Sequence, residues 1–320
     1  MSPTLPKPAL ATALIVGGGT MGADVALVLA RARCSVVVLE PDAARLQRLD
    51  AHFIRGLQQL NASQRRDCIS CCSSLDEVAW SAIDLVIECI PEQLAPKQAL
   101  FAELRRRVRP DTLLCSNSSS FPISAIAVGL PGGDTMLGLH FFMPAHLVPL
   151  VEVIMGEHSA PAQAQALVSF MRQCGMVPVL VRKDLPGFLA NRLQHALARE
   201  AFAMIDAGIA TPEDVDAAVR FGFGFRFLAA GPVLQRDHAG IDVHHAAAAT
   251  MYPSLAANTE PATVLRNLVT DGHLGMKSGQ GFFPWTAETI AAERARYDAL
   301  LLAGLGLLAD ELPKIDDTPG

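Results

Sequence analysis

The stretch A-L-I-V-G-G-G-T-M-G at residues 13–22 sets an apolar strand, Ala13 to Val16, directly before Gly17, Gly19 and Gly22 in G-x-G-x-x-G spacing. Thr20 and Met21 open a helix inside that spacing. Each glycine answers a different need: Gly17 a tight turn, Gly19 close approach of backbone to a pyrophosphate, Gly22 close packing of helix on strand. The helix start offers free N–H groups and the positive end of its dipole to phosphates. Such glycines also occur in merely structural turns, but Glu40 ends the next strand-like run 18 residues past Gly22. An acid at that distance accepts hydrogen bonds from ribose hydroxyls and repels a 2′-phosphate, so the expected cofactor is NAD rather than NADP. The bland alternative for Glu40 is an ordinary exposed carboxylate at a strand end.

Outward from this stretch, short β-branched runs alternate with helical spacing, the pattern of βαβ units around a parallel sheet. Strands are expected at Ala13–Val16, Ser35–Leu39, Asp84–Cys89, Thr112–Ser116, Met136–His140, Leu150–Ile154 and Val177–Val181. Helices are expected over Met21–Arg33 and Leu94–Val108, with another opening at Pro41. Past Lys183 the strand-like runs stop. Phe188–Ala207 reads as a long helix, Thr211-Pro212-Glu213 as the capped start of a helix reaching Arg220, and Ala287–Leu308 as a last helix before a polar tail expected to fray. The expected fold is an α/β, Rossmann-type doubly wound sheet in residues 1–184, followed by an all-helical C-terminal domain in residues 185–320 for substrate binding and dimerisation.

Composition narrows the function. The 320 residues are 51% hydrophobic and 18% charged, which excludes a disordered chain, and the length suits two domains of roughly 100 to 200 residues each. No apolar run reaches the ~18 to 20 residues of a membrane span. Met1 to Ala11 lacks the pattern of a secretory signal, so a cytoplasmic location is expected. With 26 basic against 32 acidic residues and no Lys/Arg tract, the chain carries no footprint for nucleic acid, and small molecules are the expected partners. The cysteines at 34, 68, 71, 72, 89, 115 and 174 are odd in number and read as reduced, buried thiols. Cys68, Cys71 and Cys72 have no second ligand pair at similar spacing, so no metal site is expected.

His140 closes one expected strand and Glu152 lies in the next. A neutral imidazole suits removal of a hydroxyl proton as a hydride leaves a secondary alcohol, and a carboxylate on the other ring nitrogen fixes the tautomer. Ser119 falls just past a strand's carboxyl end, where open α/β sheets bind ligands. Read alone, Ser119 reads first as a cap for the helix after Pro122, and Asn191 first as a partner in a buried interhelical hydrogen bond.

Six ordered blocks change that balance: V-G-G-G-T-M-G (16–22), V-I-E-C-I-P-E-Q-L-A-P-K (86–97), S-N-S-S-S (116–120), G-L-H-F-F-M-P (138–144), P-L-V-E-V (149–153) and P-G-F-L-A-N-R (186–192). Over nearly its whole length the chain resembles the 3-hydroxyacyl-CoA dehydrogenase family. The resemblance implies that His140 is the proton acceptor, Glu152 its orienting carboxylate, Ser119 the hydroxyl on the substrate oxygen and Asn191 the amide near the reacting centre. It also implies that Glu92, Lys97 and Asn117 line the cofactor cleft near the nicotinamide ribose, and that the helical domain forms a homodimer.

Two branches share this scaffold, one acting on CoA thioesters and one on small free hydroxy acids, as L-gulonate and L-carnitine dehydrogenases do. The helical arm after Glu40 is shorter than in CoA enzymes, and Gly56 and Ser63 stand where that branch has a CoA-contacting serine and lysine. Pro149 replaces a lysine, the block G-F-G-F-R-F-L-A-A-G-P (222–232) resembles the small-acid branch, and the chain runs past G-Q-G-F-F (279–283) into an extra helix. Arg226 in that block is a candidate carboxylate clamp, or else a surface salt bridge. Arg45, Arg48, Arg55, Arg65 and Arg66 keep CoA open, although their spread also reads as a solvated face. Met143 stands where the family has asparagine, and a thioether cannot donate that hydrogen bond. Phe221, Phe223, Phe225 and Phe227 read as core or dimer packing before a substrate pocket.

The expected activity is NAD-dependent oxidation of the L-3-hydroxy group of a small acid. The alternatives are a 3-hydroxyacyl-CoA dehydrogenase and an NAD(H)-binding structural or sensing protein without turnover.

Overall fold

The computed structural model describes residues 5–315. Eight strands form one sheet in the order β3-β2-β1-β4-β5-β6-β7-β8. They are β1 (Thr12–Val16), β2 (Ser35–Leu39), β3 (Ile69–Cys72), β4 (Leu85–Glu88), β5 (Leu113–Ser116), β6 (Met136–Phe141), β7 (Leu150–Met155) and β8 (Val177–Val181). All neighbours pair parallel except β6 with β7. The chain leaves β1 first toward β2 and later returns to β4 on its other side, so a crevice opens at the carboxyl ends of these strands.

Helices cover both faces. Alternate residues of β1 point to opposite cores: Ala13 and Ile15 meet α1 (Thr20–Arg31), α2 (Ala43–Gln59) and α5 (Pro161–Gln173), whereas Leu14 and Val16 meet α3 (Leu94–Arg107) and α4 (Ile123–Ile126). Every residue of β4, β5 and β6 is buried, as expected of strands covered on both sides. Four polar groups on this central region, Glu88, Ser116, His140 and Glu152, are buried with them and are paired as described below.

The expected strands are all present, with ends moved by one residue at most. One strand escapes sequence reading: β3, whose I-S-C-C run is short, lies at the sheet edge and has two accessible central residues. Pro41 does not open a helix; Asp42 is the N-cap, its side chain accepting from the Arg45 N–H at 2.8 Å, and α2 starts at Ala43. The long helix α6 runs Ala190–Asp206, beginning later than expected because Phe188 takes φ 52° and buries in the core with Ile123 and Ile154. All seven cysteines are free, yet Cys71 is exposed and Cys68 and Cys89 are only half-buried, so the expectation of uniformly buried thiols fails there.

The chain divides into two compact units, one running through Asn191 and taking back the tail from Ala309, the other spanning Arg192–Leu308. The expected boundary, between residues 184 and 185, lies a few residues before this division, and the backbone at Leu189 and Ala190 is tied to Glu152 in β7. The tail is largely exposed, but Ile315 lies against the first core; residues 316–320 lie outside the described residues, as do the first four residues of the segment read for a signal.

In the second unit, Thr211 and Asp214 form a capping box at α7 (Pro212–Ala217), which passes into a π-helical turn, Ala218–Phe223, rather than continuing to Arg220 as α-helix. After it come α8 (Pro232–Ala239), α9 (Ile241–Met251), α10 (Thr263–Thr270) and α11 (Ala287–Leu307). These helices bury no side chain fully within the chain. Phe221, Phe225 and Phe227 are exposed, which overturns their reading as this chain's own core. Among the described residues no single helix is long and apolar enough to cross a membrane; Pro212–Leu228 and Pro232–Ala239 qualify only jointly and are bent by 85°.

Candidate active site

The glycine stretch lies where β1 passes into α1, at the mouth of a cleft of about 760 Å³. Gly17 has φ +106°, and a Cβ there would meet the Cys89 carbonyl oxygen at 2.8 Å; a Cβ on Gly22 would meet the Gly17 oxygen at 1.9 Å. Both positions are thus closed to any side chain. Gly19 is different: nothing stands within 4 Å of the Cβ position, so the space above its backbone is open. A cradle with tight flanks and an open centre at a helix N-terminus fits a dinucleotide pyrophosphate, and Thr20 and Met21 line the same cleft.

Glu40 lines it too, but not as a loose strand-end carboxylate. It is buried, with Oε2 accepting from the Gly18 N–H at 2.9 Å and Oε1 from the Asp42 N–H at 2.9 Å. Arg45, Arg48 and Arg55 also face the cleft, at helical spacing on α2, with His52 among them. All three arginines are solvent-exposed, as the solvated-face reading has it, and they also line the cleft. Arg66 behaves otherwise, pairing with Asp50 and lying over the Phe53 ring.

At the carboxyl ends of β5 and β6 the polar groups converge. The antiparallel register sets His140 opposite Glu152. His140 Nδ1 lies 2.8 Å from Glu152 Oε2, and Nε2 lies 3.1 Å from Ser119 Oγ. Glu152 is fully buried and fully used, since its other oxygen accepts the N–H groups of Leu189 and Ala190 at 3.0 and 2.8 Å. Phe142 and Phe188 pack on the imidazole, with centroids 4.6 and 5.7 Å away. Ser119 does not cap α4, whose N-cap is Pro122 with no side-chain bond. Asn191 sits half-buried in the first turn of α6, directly after the two residues that Glu152 holds.

Glu92 organises the serine loop. Its Oε1 accepts from the Ser118 and Ser120 hydroxyls and from the Ser119 and Ser120 N–H groups. Burial pushes the Glu92 carboxyl up, but the Ser118 and Ser120 hydrogen bonds and the Lys97 charge outweigh it and bring it down to about 2. Lys97 is buried, with Nζ 2.6 Å from Glu88 Oε1 and 3.3 Å from Glu92 Oε2. Asn117 Oδ1 accepts the Phe141 N–H at 2.9 Å and so ties β5 to the end of β6. Met143 is 65% exposed, beside the cis Met143–Pro144 bond. Arg226 is exposed in the second unit, where with His238 it lines a cavity of about 310 Å³.

Comparison with known proteins agrees with this layout. The family model for the NAD-binding domain of 3-hydroxyacyl-CoA dehydrogenase matches residues 12–185, and the model for its C-terminal domain matches residues 187–285. The chain belongs to the 3-hydroxyacyl-CoA dehydrogenase family.

Within that family it is 32% identical over 290 residues to 5-formyl-3-hydroxy-2-methylpyridine 4-carboxylate 5-dehydrogenase of Mesorhizobium japonicum, covering 88% of this chain and 94% of that one. It is 33% identical to the 3-hydroxyadipyl-CoA dehydrogenase of Escherichia coli, covering 96% of this chain and 66% of that longer protein. Among solved structures, a 5-dehydrogenase for the same pyridine acid, described as an NAD+-dependent dismutase, superposes with TM-score 0.87 at 30% identity, covering 92% of this chain and 97% of that one. The (S)-3-hydroxybutyryl-CoA dehydrogenase of Ralstonia eutropha gives 0.71 at 29% identity, covering 87% and 99%.

The protein is thus an NAD-dependent dehydrogenase of the 3-hydroxyacyl-CoA dehydrogenase family. Sequence reading passed over Glu88, although a charged residue inside the apolar run L-V-I-E-C-I was the available signal. Ser116 Oγ donates to Glu88 Oε2 at 2.6 Å, so Glu88 joins the β5 end to Lys97.

Proposed function

We propose that the protein transfers hydride between NAD and the L-3-hydroxy or carbonyl carbon of a small free carboxylic acid, with His140 as the proton acceptor. The relation of His140 to Glu152 and Ser119 carries this reading. Glu152 is acceptor-only, so the shared proton sits on His140 Nδ1, and Nε2 of the neutral ring keeps its lone pair. That lone pair and the Ser119 hydroxyl are 3.1 Å apart, so an alcohol oxygen placed beside both, at the third corner of a triangle, could donate its proton to Nε2 and accept from the Ser119 hydroxyl. On oxidation the hydroxyl proton moves to Nε2, and the imidazolium is held by the buried Glu152 carboxylate. Asn191 supplies a further amide to the oxygen. Bound NAD supplies the hydride acceptor. Gly17, Gly19 and Gly22 would hold its pyrophosphate, Glu40 its adenosine ribose, and Glu92, Lys97 and Asn117 the nicotinamide side.

A free acid is favoured by the closer superposition on the pyridine-carboxylate enzyme than on the thioester enzyme quoted. Gly56 supports it: the residue packs on α1, where a Cβ would meet Leu27 at 2.2 Å, and it offers nothing to CoA. Arg226 is the proposed carboxylate clamp. A CoA thioester remains the second reading because Arg45, Arg48 and Arg55 charge the cleft wall positively. Initial rates with NAD on free 3-hydroxy acids, with NADH on formylpyridine carboxylates, and with NADH on acetoacetyl-CoA separate the two. Preference for the thioester would refute the free-acid reading, and tight NADH binding without turnover on the whole panel would favour a sensing role.

The apolar side chains left exposed on the second unit, among them Leu193, Phe221, Phe225 and Leu300, support a homodimer. A monomer in light scattering at micromolar concentration would refute it. Seven free cysteines support a reducing, cytoplasmic location, which microscopy of the tagged chain would test.

A further inference from the structure

Asp24 is a single acid inside the apolar run G-A-D-V-A-L-V-L-A of α1, and it is 2% exposed. None of the roles above uses it. Its Oδ1 lies 2.8 Å from His52 Nε2 on α2, in the wall of the dinucleotide cleft. Its Oδ2 accepts the Ala145 N–H at 3.2 Å and lies 3.2 Å from His146 Nδ1. One carboxylate therefore joins three segments: the helix that opens at the glycine cradle, the cleft wall, and the Met143–His146 turn that follows the catalytic strand. Burial pushes the Asp24 carboxyl up, but the imidazoles of His146 and His52 outweigh burial and hold it below its ordinary value.

His146 makes this tie sensitive to protons. Its Nε2 lies 3.2 Å from Gln59 Oε1. Its Nδ1 is buried without an aligned hydrogen bond, 3.2 Å from the carboxylate. A neutral ring has one donor nitrogen to share between these two acceptors, whereas an imidazolium presents a donor at both nitrogens. The charged groups that line the cleft with His52 are Arg45, Arg48 and Arg55 on the same helix and Glu40 across from it.

We infer that Asp24 is a positioning residue that couples dinucleotide affinity to the proton load on His52 and His146. Asp24 stands about 6 Å along the axis from Thr20, one turn inside the helix end that faces the pyrophosphate. With both imidazoles charged, the cluster carries one net positive charge; with both neutral, it carries one net negative charge. A dianionic pyrophosphate binds more tightly in the first state. The same proton load also sets how firmly the turn at Ala145 is held to α1.

The test is the NADH dissociation constant of the full chain, read by fluorescence titration from about pH 5.5 to pH 8.5 at constant ionic strength. The wild-type constant is expected to weaken about three- to ten-fold toward the alkaline end. Asp24→Asn and His146→Gln should flatten that slope, and His52→Gln, whose amide can still donate to Asp24 but carries no proton load, should reduce it. A pH-independent wild-type constant, or His52→Gln and His146→Gln curves parallel to wild type, would overturn the inference. Should Asp24→Asn fail to fold, the two histidine variants decide the matter by the same criterion.

Discussion

His140 and Glu152 face each other across an antiparallel strand pair, and the ladder itself places Nδ1 2.8 Å from Oε2. Both side chains thus sit on paired strands rather than on loops, which suits the roles proposed for them. Oε1 of the same Glu152 fixes the chain at Leu189 and Ala190, immediately before Asn191.

Replacing His140 with Gln should lower kcat by about 10² to 10⁴. Cofactor binding should be nearly unchanged, because the glycine cradle lies at a different strand end. Steady-state rates paired with NADH titration check this, and an unaltered kcat would remove His140 from the role of base.

Glu152→Ala should leave the Leu189 and Ala190 N–H groups and His140 Nδ1 without their acceptor. The expected loss is about 2 to 4 kcal/mol of stability, read as a lower urea midpoint. Glu152→Gln keeps the volume and one acceptor oxygen and should lose less.

Glu92 predicts an acid limb. Its folded carboxyl lies at about 2, below the ordinary 4.5, so its contribution is complete above the ordinary value and is lost as pH falls toward 2. Glu92→Gln removes that contribution. The gap in urea midpoint between wild type and variant should therefore close as pH is lowered through this window, and a pH-independent gap would count against the assignment.

Gly19→Ala and Gly22→Ala should separate binding from folding. The first meets nothing in the protein and should leave the melting temperature in place while weakening NADH by about ten-fold, since only the approaching pyrophosphate is obstructed. The second drives a Cβ into the Gly17 carbonyl and should lose both cofactor binding and stability.

The doubly wound sheet was legible because buried parallel strands such as L-V-I-E and T-A-L-I-V are apolar runs bounded by turns. Strand β3 was not, because an edge strand needs neither burial nor a β-branched run. The His140, Glu152 and Ser119 cluster was legible through its blocks, whereas spacing alone says nothing of a register that sets residues twelve apart opposite each other. Phe188 misled as a helical position, since its left-handed φ and burial arise from tertiary packing. Asp24, His52 and His146 are 28 and 94 residues apart in sequence, and only folding shows that they share one carboxylate.

Glu40 has a consequence for anyone wishing to redirect the enzyme to NADP. The usual device is to delete the acid at this strand end, here the one proposed to hold the ribose. Here both oxygens of that acid are already engaged, one holding Gly18 and the other Asp42 at the cap of α2. Deleting it would unlatch the cradle and the helix together. A redesign would do better to keep Glu40 as a structural brace and recruit Arg45, already 3.8 Å from it, to receive the added phosphate.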